Sequence, residues 1–408
     1  MYRIDKCGEI MQYGFEKVPF REIGVCDMLL IKNAEVYAPA SIGKKDILIC
    51  NEKIELIEDK IEGLPGNCRV MDGEGLLLAP GMIDQHIHVT GGGGEGSFHT
   101  RTPELDLSEM IKGGITTAVG LLGTDGITRS VENLYAKTAA LNEEGVTAYM
   151  LTGAYGYPGP SITGEPDRDI MFVKEVLGMK LALSDHRAPN VTPEQLMQIS
   201  SRVRVAGMLS GKPGVVVLHM GDAPEGLEPV YEALEYSTLP IRIFRPTHVN
   251  RNKALLEAGY GFLEKGGYVD YTCGMKGQPS PGQCIAEAAR RGLPLAHITI
   301  SSDGHGSWSS YDEDGTLLDI GVSGVDSLYR ELQLMVKDLG MNLEDALGYV
   351  TSHVAEALDL YPEKGCIKEG ADADMLLFTE QLDLHTVIAR GAVMMEGGVL
   401  KRKGTYER

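Results

Sequence analysis

The residues with the clearest chemical potential are histidines. His86-Ile87-His88 is an H-x-H triplet. On a β-strand, the two-residue period would put both imidazoles on one face, where they can grip a single cation. Alone, such a triplet can equally serve packing. Three more groups of the same kind, His219, His248 and Asp303, each close a short apolar run. Lys180 interrupts the apolar run 179–183, and an ammonium buried there would be costly unless paired or neutralised. Three roles stand open for it: a structural ion-pair partner, a Schiff-base nucleophile, or a neutral amine that takes up carbon dioxide and becomes a carbamate bridging two cations. Beside four histidines and an aspartate, the carbamate would supply the bridging oxygen ligand that a two-ion site needs.

Convergence of these groups requires a particular scaffold. From residue 76 onward, apolar runs of strand length alternate with polar turns and helix-like segments. Eight runs read this way: 76–88, 116–122, 147–152, 179–184, 215–219, 243–248, 268–272 and 298–303. Eight parallel strands with crossover helices predict an α/β fold, a closed (β/α)8 TIM barrel whose chemistry gathers at the C-terminal strand ends, where His88, His219, His248 and Asp303 fall. Helices are expected over 103–112, 131–144, 227–236, 253–265 and 281–291, and again over 325–339 and 343–358. A further helix opens at Thr192-Pro193-Glu194-Gln195, a capping residue followed by a first-turn proline. The flanks differ in character: 46–49 and 54–57 near the start, and 375–378 and 386–389 near the end, read as short strands. They predict a small β-sandwich domain from 1–78 and 364–408, with the barrel over 79–363.

Composition narrows the partners. The 408 residues are 43% hydrophobic and 24% charged, ordinary globular usage, and the formal net charge of -20 argues against nucleic acid and anionic membrane surfaces. An anionic substrate must therefore meet locally placed arginines. The seven cysteines, Cys7, Cys26, Cys50, Cys68, Cys273, Cys284 and Cys366, include no C-x-x-C pair and fit a reduced cytoplasm. The charge-mixed start over 1–17 reads as neither signal peptide nor membrane span.

H-x-H on the first strand, Lys on the fourth, His on the fifth and sixth, and Asp on the eighth resemble the amidohydrolase superfamily. Longer motifs narrow this. Gly91-Gly92-Gly93-Gly94-Glu95, Gly120-Leu121-Leu122-Gly123-Thr124-Asp125, Thr152-Gly153-Ala154-Tyr155, Ser184-Asp185-His186-Arg187, Pro246-Thr247-His248-Val249-Asn250-Arg251-Asn252 and Ser301-Ser302-Asp303-Gly304 resemble the bacterial isoaspartyl (β-aspartyl) dipeptidase family nearly end to end. One departure is His305, where that family is expected to carry asparagine.

The resemblance implies a metal-dependent dipeptidase acting on the isopeptide bond of isoaspartyl dipeptides. Two divalent ions, zinc by ligand type, would be held by His86, His88, Lys180 as N6-carboxylysine, His219, His248 and Asp303, and would make hydroxide available near neutral pH. Asp303 would act as base and then acid, and Tyr155 would polarise the carbonyl. Glu95 is the expected ammonium partner; Arg187 and Arg251 are the expected carboxylate forks; Gly93, Thr124 and Ser307 complete the substrate contacts. A homo-oligomer is also implied. His99, His186, His297, His305, His353 and His385 receive no metal role. Two other functions compete: a cyclic-amide hydrolase of the hydantoinase or dihydroorotase kind, or an N-acyl amino acid deacylase, sharing the metal cage, and a non-catalytic barrel serving as an assembly scaffold, in which loss of ligands would be expected.

Overall fold

The computed structural model describes residues 28–188 and 191–407. Eight parallel strands build the barrel: Met82–Ile87, Ile115–Gly120, Thr147–Gly153, Val176–Leu183, Val215–Met220, Phe244–Thr247, Val269–Thr272 and Ile298–Ser301. The first six form one curled sheet in chain order, and the last two pair with each other. Hydrogen bonds at the strand ends bridge the two breaks. Asp303 N donates to His86 O (3.0 Å) and His88 N to Gly304 O (2.9 Å) between the eighth strand and the first, while Thr272 N donates to Asn250 Oδ1 (2.9 Å) between the seventh and the sixth. The result is a TIM-barrel-like α/β fold.

Strands in such a fold are covered on both faces, so they are apolar throughout rather than alternating. Val176–Leu183 is buried at every position. The helix Pro193–Ser210 shows how crossings are defined locally: it opens at the expected capping residue and first-turn proline, and Gln195 N donates to Thr192 Oγ1 (3.3 Å) while Thr192 N donates to Gln195 Oε1 (3.0 Å), a reciprocal cap.

The apolar run 76–88 proves to be two strands in two sheets. Leu77–Pro80 pairs with Met375–Phe378 and with Met28–Tyr37, and only Met82–Ile87 enters the barrel. Gly81 separates them, where a Cβ would collide with the Thr116 side chain. The terminal segments do meet, in one nine-stranded sheet. Met28–Tyr37 lies between Ser41–Cys50 and Leu77–Pro80, and Met375–Phe378, Leu384–Ala389, Ala392–Glu396 and Val399–Leu400 extend the sheet beyond Leu77–Pro80. In hydrogen-bonding terms this is one sheet where a sandwich was expected. Lys364 is buried beside it, 2.6 Å from Asp374 Oδ2 and 2.8 Å from Asp372 Oδ2, and Asp374 O accepts from Gly81 N (2.8 Å) at the junction with the barrel.

Beyond the strands Met28–Tyr37, Arg69–Asp72, Ala392–Glu396 and Val399–Leu400 of the terminal sheet, two features near the barrel lie outside the sequence expectations. The short helix Pro166–Phe172 precedes the fourth barrel strand, anchored by buried Asp169, which accepts from Ile162 N, Thr163 N and Thr152 Oγ1. An antiparallel hairpin, Ser307–Tyr311 with Leu317–Val322, follows the eighth strand. The expected helix 343–358 is broken into Leu343–Gly348 and Ser352–Ala357. Cys68, Cys273, Cys284 and Cys366 are free thiols, whereas Cys7, Cys26 and the charge-mixed segment 1–17 lie outside the described residues. Among the described residues no helix is long and apolar enough to cross a membrane.

Candidate active site

His86 sits on the first barrel strand and His88 one residue past its end; Lys180 and His219 lie on the fourth and fifth; His248 and Asp303 follow the ends of the sixth and eighth. All converge at one mouth of the barrel. Lys180 Nζ is 3.0 Å from His86 Nε2. Asp303 Oδ1 is 3.1 Å from His88 Nε2 and 3.5 Å from His86 Nε2. The His248 ring centroid lies 4.9 Å from that of His86 and 4.6 Å from that of His219. One donor atom each from His86, His248 and Asp303 fall within 4.8 Å of one another.

The backbone is bent to achieve this. His248 and Asp303 have φ of 61° and 54°, a left-handed conformation that costs a non-glycine residue free energy and is kept where surrounding bonds hold it. Arg251 N donates to His248 O and Gly306 N to Asp303 O, both at 2.9 Å. Beneath the cage, buried Asp270 accepts from Gln85, Thr247, Thr299 and Ser301. Asp84 accepts from His86 N and from Ser302, fixing the ends of the first and eighth strands.

Electrostatics favour neutral ligands. Burial holds the imidazoles of His86, His219 and His248 well below the usual histidine range, leaving lone pairs available. Burial also pulls the Lys180 ammonium down to about 7, against the opposing pull of Asp303 and Asp270. Burial raises the Tyr155 phenol above its ordinary value, so it stays protonated. Nδ1 of His86 and Nδ1 of His88 are buried without hydrogen-bond partners. Neutral imidazoles facing a carboxylate and an amine that loses its proton near neutral pH form a donor set that a divalent cation satisfies; the residues fit such an ion.

The cage opens into a cavity of about 420 Å³ lined by His88, His219 and Asp303 together with the substrate candidates. Lys180, His86 and His248 are buried and do not line it. Glu95 accepts from Ser307 Oγ (2.9 Å) and Thr124 Oγ1 (3.2 Å) and pairs with Arg187 Nη1 at 3.4 Å. Gly93, at φ +75°, has no room for a side chain: a Cβ would stand 2.6 Å from Thr100 O. Arg251 Nη2 reaches within 3.5 Å of His219 Nε2. Tyr155 Oη lies 2.8 Å from His219 Nδ1.

Two supporting residues escaped the sequence reading. Asp185, buried, accepts from Arg187 Nε (3.0 Å) and Nη2 (2.8 Å) and from His219 Nε2 (3.0 Å). It aims an arginine and fixes a histidine tautomer with one carboxylate. Thr272 Oγ1, 2.8 Å from His248 Nδ1, turns the other ring nitrogen towards the cage. The only local signal was an aspartate two residues before Arg187. His305 stays outside the cage, bonded to Pro103 O (2.9 Å) and paired with Glu109 (3.0 Å).

Comparison with known proteins gives this arrangement a family. The model of the amidohydrolase family matches residues 283–394. The β-aspartyl dipeptidase of Fervidobacterium islandicum AW-1, solved in complex with β-Asp-Leu dipeptide, is 39% identical over 93% of this chain and 99% of its own, with a TM-score of 0.89. A second structure of the Fervidobacterium enzyme gives 40% identity and a TM-score of 0.85, covering 92% of this chain and 99% of its own. The chain belongs to the β-aspartyl dipeptidase family of amidohydrolases.

This amidohydrolase is accordingly a hydrolase of a superfamily that binds divalent metals. Dihydroorotase of Staphylococcus epidermidis is 34% identical over 107 residues, 26% of this chain and 24% of its own, so the chain spans about a quarter of the length of such curated relatives. Dihydropyrimidinase from Brevibacillus agri, at 18% identity and a TM-score of 0.66 over 92% of this chain and 97% of its own, shares the fold.

Proposed function

We propose that this protein is a metallopeptidase that hydrolyses the isopeptide bond of β-aspartyl dipeptides, with His86, His88, Lys180, His219, His248 and Asp303 holding two divalent ions, zinc by ligand type. One observation carries the proposal. One cavity is lined by three of the metal-type ligands, His88, His219 and Asp303, and also by a carboxylate, Glu95, and two guanidinium groups, Arg187 and Arg251. A β-linked aspartyl dipeptide offers the complementary charges: an α-ammonium and an α-carboxylate on one carbon, and a second carboxylate on the leaving residue. Glu95 receives the ammonium, Arg187 and Arg251 the carboxylates, and Gly93, Thr124 and Ser307 the remaining polar edges. An α-linked isomer shifts its scissile amide by one carbon and leaves those buried charges unmatched.

When bound, the ions supply water activation near neutral pH and polarisation of the scissile carbonyl. Lys180, whose ammonium burial pulls down to about 7, has free amine near neutral pH that can add carbon dioxide: its Nζ–C bond forms, a proton leaves, and the carbamate offers anionic oxygen ligands. Asp303 takes the proton of the attacking water and returns it to the leaving amine. Tyr155, kept protonated, donates to the carbonyl oxygen as negative charge develops. Cytoplasmic residence, a homo-oligomer, and a division of labour between a barrel (79–363) and a small β domain (1–78 and 364–408) belong to the same proposal.

Cyclic-amide hydrolysis is the second reading, favoured by the local likeness to dihydroorotases. Turnover of β-aspartyl-leucine, dihydroorotate, hydantoin and an N-acyl amino acid by one preparation separates them. β-Aspartyl-leucine is expected to dominate; faster opening of either ring would overturn the proposal.

A further inference from the structure

Glu95 and the two arginines account for the charged groups of a dipeptide but leave the leaving residue's side chain without a partner. The same cavity has further lining that those groups do not use. There the loop after the seventh barrel strand, Cys273-Gly274-Met275-Lys276-Gly277, and the hairpin Ser307–Tyr311/Leu317–Val322 both contribute to the wall. Trp308, the chain's single tryptophan, lies on that hairpin and lines the cavity. Its cross-strand partner is Gly321, where any Cβ would overlap the indole, so the ring lies against the hairpin backbone. Lys276 Nζ stands 4.8 Å from the indole centroid and 3.5 Å from Asp319 Oδ2. Backbone and a cation–π contact therefore hold one aromatic surface in place at the cavity wall.

The Lys276–Asp319 pair cancels its own charge. What this wall offers a ligand is indole and, from half-buried Met275, thioether. Whichever arginine takes the leaving residue's carboxylate, the leaving side chain is left to the rest of the cavity lining, of which this wall is the part that offers indole and thioether. We infer that Trp308, with Met275 and Lys276, forms the subsite for the leaving residue's side chain and selects apolar ones. The inference rests on the isoaspartyl dipeptide reading above.

The test compares kcat/KM for β-aspartyl-leucine and β-aspartyl-glycine in the metal-loaded wild type, Trp308→Ala, Trp308→Phe and Met275→Ala. Filling a partly open apolar pocket is worth about tenfold in kcat/KM. The wild type is expected to prefer leucine by about that factor. The preference should collapse in Trp308→Ala, chiefly through KM, weaken in Met275→Ala, and persist in Trp308→Phe, which keeps an aromatic face. A preference unchanged in both alanine variants, with wild-type melting temperature and metal content, overturns the subsite and leaves the dipeptidase reading standing. A wild type that hydrolyses neither dipeptide overturns that reading and the subsite with it.

Discussion

Replacing Asp185 by asparagine isolates how the cage and the substrate clamp are coupled. The carboxylate accepts three side-chain N–H groups, one from His219 and two from Arg187, at 2.8–3.0 Å. It is buried, and both partners outweigh the cost of that burial to hold its pKa far below the usual carboxylate range. Asparagine keeps the shape but offers one acceptor oxygen and turns an NH2 towards a donor. Each charge-assisted hydrogen bond lost is worth about 1.5–3 kcal/mol. Residues that orient a metal ligand typically contribute about 10- to 100-fold in metal affinity or activity. Asp185→Asn should therefore weaken zinc affinity about 10- to 100-fold, read by competition with a chromogenic chelator. At saturating zinc its KM should still be raised, because Arg187 has lost its fork. Zinc affinity within twofold of wild type together with an unchanged KM would refute the coupling.

Lys180→Ala should lose nearly all activity and bound metal, and a short added carboxylic acid should restore part of the activity; unimpaired turnover would contradict the bridging role. Glu95→Gln, which removes the proposed ammonium partner, should lower kcat/KM for β-aspartyl-leucine about 10- to 100-fold while metal content stays at wild-type stoichiometry. Lys364→Met takes the ammonium from buried Asp374, while Asp372 keeps Lys53 at 2.8 Å, and should cost about 3–5 kcal/mol in urea unfolding. Burial pulls the Lys364 ammonium down, but Asp374 and Asp372 outweigh it and hold the pKa above the ordinary lysine range. A raised folded pKa gives stability fully present below the unfolded lysine value and lost only as pH climbs through the raised one, so the Lys364→Met deficit should be equal at pH 6 and pH 9.

Much of the cage was legible because strand chemistry is periodic and burial is selective. His86 and His88 announce a shared face by their spacing, and Lys180 is conspicuous as a charge within an apolar run. His248 and Asp303 were visible as residue types at run ends, but their left-handed backbone was not, since it is imposed by neighbouring turns. Asp185 was hidden because one of its partners, His219, lies on the next barrel strand. The run 76–88 looked continuous because both of its strands are buried, each in a different sheet, and hydropathy does not register the crossing at Gly81. The hairpin bearing Ser307 and Trp308 was missed for the opposite reason. Its polar residues line a cavity rather than a core, so apolar alternation does not mark it, and only Asp314-Gly315 between the strands gives a turn signal. The helix Pro166–Phe172 is short and charged, and its anchor, Asp169, is satisfied by contacts that only the fold assembles.

The central claim is a dinuclear metal centre coupled to recognition of a β-linked aspartyl zwitterion. One preparation assayed for bound metal per chain and for hydrolysis of β-aspartyl-leucine against α-aspartyl-leucine tests both halves together. Two equivalents of divalent metal, with the β-linked isomer favoured by orders of magnitude, is the predicted result. Equal rates on the two isomers, or turnover undiminished after the metal is stripped, would contradict it.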